Sequence, residues 1–142
     1  MSVEQNLRVI EAFSRAFDER RWDRFFELHA QSAALWAPGL AEPLKGRAAI
    51  REWELGFVGG FPDFRFRTDQ PFGHGSLACF QWTFTGTHTA PLPGPGGKAI
   101  PATNKPVRIR GCSVYTVEGG EITERRLYFD QLEFLQQLGL AP

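Results

Sequence analysis

The sequence predicts an α+β domain in which helices come first and a curved antiparallel sheet follows. Apolar residues recur at helical spacing up to Gly59, and beyond Gly59-Gly60 the apolar period drops to two. The length, 142 residues, suits one domain over 1–142 with a core large enough to need no disulfide or metal staple.

The elements follow in order. Val3, Leu7, Ile10, Phe13 and Phe17 share one helical face over 3–19, with Ser2 as N-cap and Glu4 and Glu11 toward water. A short second helix is expected over 22–29. Leu35-Trp36 reads as a brief strand stopped by Pro38-Gly39, and Ile50, Trp53 and Phe57 restore helical spacing over 47–59. Phe64 and Phe66 alternate with Arg65 and Arg67, and Phe80, Trp82 and Phe84 alternate with Gln81, Thr83 and Thr85, which marks paired strands around a turn at 73–76. Longer strands over 107–117 and 122–129 meet at Gly119-Gly120, and a helix over 132–138 closes the chain. Four long antiparallel strands wrapped around helices leave an open-ended apolar cone.

Sixteen basic side chains balance sixteen acidic ones, which argues against a general nucleic-acid binder, because that role needs a positive surface to displace phosphate counterions. A small uncharged partner is expected instead. Met1 to Leu7 has no apolar leader, and no run approaches the roughly 18 apolar residues of a membrane span, so a cytoplasmic location without membrane contact is the expectation. Cys79 and Cys112 lack CxxC spacing and read as reduced, buried thiols. His29 has no second ligand at useful spacing, so neither a metal nor another cofactor is expected.

FPDFRF at 61–66, GTHTAPLPG at 86–94 and GEITERRLYFDQLEFLQQLG at 120–139 carry a family resemblance, together with LKGRAAIREW and the first helix. The chain resembles the SnoaL-like polyketide cyclases, within the nuclear-transport-factor-2-like cone fold. The resemblance implies a homodimer whose sheets pack through their outer faces, covering Cys112 and Val114. It also implies acid–base chemistry on a polyketide-like carbonyl compound, by aldol closure or by isomerisation through an enolate. The catalytic aspartate of these cyclases belongs on the last strand. Aligning the shared Asp-x-x-x-x-Leu-x-x-Leu-Gly ending through Asp130, Leu135, Leu138 and Gly139 puts Leu127 in its place. Polar pocket positions on the preceding strand correspond here to Gly111 and Ser113.

With that aspartate replaced, His88 is the first candidate for proton chemistry and Asp130 the second. His88 shares parity with Phe80, Trp82 and Phe84 and stands where a strand opens into the long segment 89–106. It reads either as a proton shuttle or as a rim histidine satisfied by a backbone carbonyl. A histidine at the corresponding place in the cyclases supports the first reading. Asp130 reads as the N-cap of the last helix or as an acid/base group. Trp36, Trp53 and Trp82, with Phe57, Phe64 and Leu127, are expected to wall the pocket, and Ser113 and Tyr115 share the inward parity and can donate to an enolate oxygen. Tyr128 has the opposite parity. The segment 89–106 reads as a lid, an intersubunit contact or a surface loop. Two function classes follow: a cofactor-independent acid–base enzyme on a small hydrophobic carbonyl compound, or a binding protein holding an apolar metabolite.

Overall fold

The computed structural model describes residues 2–141. Helix α1 (Val3–Asp18) starts in a capping box: the Ser2 hydroxyl accepts from the Gln5 amide at 3.1 Å, and the Gln5 side chain accepts from the Ser2 amide at 2.8 Å. Its expected apolar face is the buried one, with Ile10, Phe13 and Phe17 turned into the core. Helix α2 (Trp22–Glu27) stops two residues short of the expected end. The reason is tertiary: His29 leaves the helix to open strand β1 (His29–Trp36). The stretch HAQSAA has little β-propensity of its own, and only pairing with the last strand holds it extended.

Strand β2 (Leu44–Lys45) precedes helix α3 (Arg47–Gly59). Strands β3 (Arg65–Thr68), β4 (Phe72–His74) and β5 (Leu77–Thr87) follow, and β4 pairs with β5, so the expected turn at 73–76 narrows to Gly75-Ser76. Residues 89–106 contain a two-stranded hairpin, β6 (Leu92–Pro93) with β7 (Ala99–Ile100), packed on α3. Leu92 fills the space beside Gly60, where a Cβ would lie 2.4 Å from its Cδ2. Strands β8 (Pro106–Glu118) and β9 (Glu121–Phe129) form the long final hairpin, and helix α4 (Gln131–Gln137) ends the fold.

The main sheet runs β2-β1-β9-β8-β5-β3, curved and unclosed, with β4 on β5. It is mixed, not wholly antiparallel, because β1 lies parallel to β9 and pairs Leu35 with Arg125. Phe66 pairs with Phe84, as the alternation requires, and β5 pairs with β8 without a break from Leu77↔Thr116 to Thr87↔Pro106. With period-two alternation, Trp82, Phe84, Ser113, Tyr115, Arg125 and Leu127 take the concave face, where α1 and α3 pack. The convex face carries Gln81, Arg108, Arg110, Arg126 and Tyr128.

Cys79 and Cys112 are half-buried free thiols on that convex face, 3.5 Å apart, and not core residues. At the open edge Asp18 ties α1 to the sheet by accepting from the Phe66 amide at 2.9 Å and pairing with Arg65 at 3.2 Å. Among the described residues no helix is long and apolar enough to cross a membrane.

Candidate functional site

Helix α3 brings three side chains to the hollow of the sheet. Ile50, Glu54 and Val58 form its buried stripe at i, i+4 and i+8, and Trp53 and Phe57 flank it. Trp53, Glu54 and Phe57, with Phe13 and Phe17 of α1 and Phe66 of β3, close a cavity against β5, β8 and β9. The space open to the centre of a water-sized molecule is about 60 Å³. Trp53, Phe57, Leu127 and Phe129 are half-buried and form its rim, whereas Phe13, Glu54, Ser113, Tyr115 and Arg125 are buried around its floor.

The floor holds the fold's one fully buried ion pair among the described residues. Arg125 Nη2 donates to Glu54 Oε1 at 2.8 Å, and both side chains are 4% exposed. Arg125 Nη1 lies 3.3 Å from His29 Nε2, and His29 Nδ1 lies 3.0 Å from the Phe25 carbonyl oxygen. A carbonyl can only accept, so Nδ1 carries the proton and Nε2 accepts from the guanidinium. Burial, and then the neighbouring Arg125 charge, pull His29 down to about 3, so it is neutral. The guanidinium also stands over the rings of Phe13, at 4.9 Å, and Phe25, at 5.5 Å. Its Nε is buried without a hydrogen-bond partner.

Two uncharged donors complete the floor. Tyr115 pairs directly with Arg125 across β8 and β9. Burial pushes its phenol well above the usual range against the opposing Arg125 charge and Ser113 hydroxyl, so it stays protonated. Trp82 Nε1 donates to Ser113 Oγ at 2.8 Å, and the serine hydroxyl interacts with the Tyr115 phenol. An apolar chamber thus contains a carboxylate, a guanidinium and two hydroxyl donors, the set that enolate chemistry uses. Among the described residues no three His, Cys, Asp or Glu side chains gather as a metal-binding group.

Of the residues expected at the site, Trp53, Phe57, Trp82, Ser113, Tyr115 and Leu127 line the cavity, and four others lie elsewhere. His88 has the expected inward parity and is fully buried, but it lies one residue past β5, outside the lining. Its Nδ1 accepts from the Thr103 amide at 3.1 Å with the Thr103 hydroxyl at 2.9 Å, so it fastens the two ends of 89–106 together. Burial pulls its pKa down, against the Ala90 carbonyl.

Asp130 is exposed and caps α4, accepting from the Glu133 amide at 3.0 Å. Trp36 is turned to the convex face because its neighbour Leu35 takes the concave one, and its ring packs on Tyr128 at 5.5 Å. Phe64 is core: it stacks on Phe84 at 5.4 Å, beneath the Arg20 guanidinium at 3.8 Å.

Glu54, Arg125 and His29 were not expected at the site, although each left a trace in the sequence. Glu54 interrupts the α3 stripe at i+4 from Ile50, and Arg125 has the parity of Leu127 and Phe129.

Comparison with known proteins agrees with this architecture. A family model described as SnoaL-like polyketide cyclase matches residues 7–138. Among solved structures, IdmH, a candidate polyketide cyclase from Streptomyces antibioticus, is 24% identical, with 95% of this chain and 99% of that one covered and a TM-score of 0.77. A candidate SnoaL-like polyketide cyclase from Jannaschia sp. CCS1 is 19% identical over 98% and 94% of the two chains, with a TM-score of 0.83. AclR, a candidate hydroxylase from Streptomyces galilaeus, is 14% identical over 99% and 100%, with a TM-score of 0.81. At these identities the structural likeness establishes the fold. A search of curated protein sequences returns no match.

The His29 environment gives a signed pH dependence. Folded His29 stays neutral down to about 3, while in the unfolded chain it protonates near about 6.5. The unfolded state therefore binds the extra proton, and stability is expected to fall as pH drops from about 6.5 toward 3. Histidine NMR should show a neutral His29 ring throughout that window, and His29→Asn should flatten the dependence. A His29 that titrates above 6.5 in the folded protein contradicts the assignment.

Proposed function

Because the chain belongs to the SnoaL-like polyketide cyclase family, we propose that it is a cofactor-independent acid–base enzyme that enolises a small hydrophobic carbonyl compound and so cyclises or isomerises it. The observation that carries this reading is a carboxylate, Glu54, buried in an apolar cavity beside Tyr115, Ser113 and Arg125. Leu127, which the family resemblance puts at the position of the cyclases' aspartate, has no proton to move, and His88 and Asp130 lie outside the cavity lining. Glu54 therefore replaces His88 as the base.

The step balances without an added reagent. The Glu54 carboxylate takes a proton from the carbon next to the substrate carbonyl, and the C–H electron pair passes into the C–C bond while the carbonyl oxygen becomes an enolate oxygen. Tyr115 and Ser113 donate hydrogen bonds to that oxygen as its charge grows, and the Arg125 cation lies alongside. In a cyclisation the enolate carbon attacks a second carbonyl of the same molecule, and the new alkoxide recovers the proton from Glu54. In an isomerisation Glu54 returns the proton to a different carbon. Arg125 orients the carboxylate, and neutral His29 holds Arg125 from behind.

The alternative, a binding protein for an apolar metabolite, draws support from the Glu54–Arg125 pair, which leaves the carboxylate already engaged. Proton exchange separates the two readings. In D2O the protein is expected to accelerate loss of the α-protons of cyclohexanone, followed by NMR. Glu54→Gln should slow that exchange by ~10²–10⁴-fold, and His88→Gln should leave it unchanged. Cyclohexanone binding without exchange would establish the binding reading, and exchange that survives Glu54→Gln in a folded protein would remove Glu54 as base.

A homodimer through the convex face belongs to the same proposal. Its support is the exposed aromatic pair Trp36 and Tyr128, 36% and 47% exposed, on the face away from the cavity. Sedimentation at micromolar concentration should give twice the 16.0 kDa chain mass, and a monomer would refute the dimer.

A further inference from the structure

One side chain lies across the concave face beside the cavity and narrows it. Trp82 on β5 stands opposite Gly111 on β8. A Cβ at Gly111 would lie 2.3 Å from Trp82 Cζ2 and 2.7 Å from Cη2, so the indole occupies the space that any other residue there would fill. Gly111 thereby lets the ring lie across β8. On one side it reaches Phe129 of β9, with ring centroids 6.0 Å apart, and on the other Phe66 of β3, at 5.8 Å. The Nε1 hydrogen bond to Ser113 pins it in that position, and the residue is only 8% exposed.

What remains of the hollow is the 60 Å³ that lies between this indole, the α3 side chains and the polar floor.

We propose that Trp82, laid across Gly111 and pinned to Ser113, is the specificity-determining residue of the cavity and restricts it to compact carbonyl compounds of about one ring or an open chain of similar size. This rests on the reading of the cavity as the reactive site and narrows its substrate class. The position resembling a polar pocket site of the cyclases is the one that carries no side chain here, and the space it frees goes to the enzyme's own tryptophan instead of to a larger ligand. Ser113 thus fixes the wall while its hydroxyl stays at the cavity floor beside Tyr115.

The test reads binding, so it does not depend on turnover. Cyclohexanone, one ring, and anthrone, three fused rings, are titrated by calorimetry into wild type, Trp82→Ala, Trp82→Phe and Ser113→Ala. Wild type is expected to bind the single-ring ketone at least tenfold more tightly than anthrone. Trp82→Ala should reverse that preference, and Trp82→Phe and Ser113→Ala should each shift the ratio part of the way, the second because it frees the indole. If Trp82→Ala does not fold, the ratio in Trp82→Phe decides. Anthrone bound by wild type as tightly as cyclohexanone, or a ratio unchanged in a folded Trp82 variant, overturns the proposal. A size preference that follows Trp82 while proton exchange is absent supports it and overturns only the enolisation reading.

Discussion

A guanidinium buried in an apolar hollow is the constraint around which this structure is arranged. Removing a charge from water carries a penalty of roughly several kcal/mol, even after the surroundings relax, unless partners replace the lost hydration. Arg125 finds its partners on four different elements: the Glu54 carboxylate on α3, the neutral His29 ring at the start of β1, and the faces of Phe13 on α1 and Phe25 on α2. Each contact also fixes the element that supplies it. Removing one member of such a buried pair typically costs about 3–5 kcal/mol, because the other charge is left stranded. The same arrangement positions the Glu54 carboxylate at the floor of the cavity.

Much of this was legible in the sequence wherever a period carried it. Period-two alternation put Trp82, Ser113, Tyr115 and Leu127 on one face, and helical spacing put Trp53 and Phe57 on another, and all six line the cavity. The same logic missed where the element itself was unseen. Trp36 lies in a strand that begins at His29, and its small polar residues give no alternation, so nothing indicated that Leu35, and not Trp36, faces inward. His88 has the right parity, but β5 ends one residue earlier and Thr103 folds back to meet the imidazole. Alternation alone makes Phe64 a cavity wall, whereas its packing beneath Arg20 is a contact between distant parts of the chain.

The ionic floor was the hardest part to read. A glutamate and an arginine are usually solvated, and each fell within a pattern that composition alone assigns to the surface. Their partnership joins positions 71 residues apart, and the His29 contact spans 96, distances over which no local period carries information. The trace was a charge inside an apolar stripe: Glu54 between Ile50 and Val58, and Arg125 in phase with Leu127 and Phe129.

A crystal structure of the protein with cyclohexanone bound tests the central claim most directly. The ketone oxygen should lie within hydrogen-bond distance of Tyr115 Oη and Ser113 Oγ, and an α-carbon should face Glu54, with the carboxylate still held by Arg125. A ketone seated outside this cavity, or inside it with its oxygen turned away from Tyr115 and Ser113, would contradict the claim that the buried ionic floor is the reactive site.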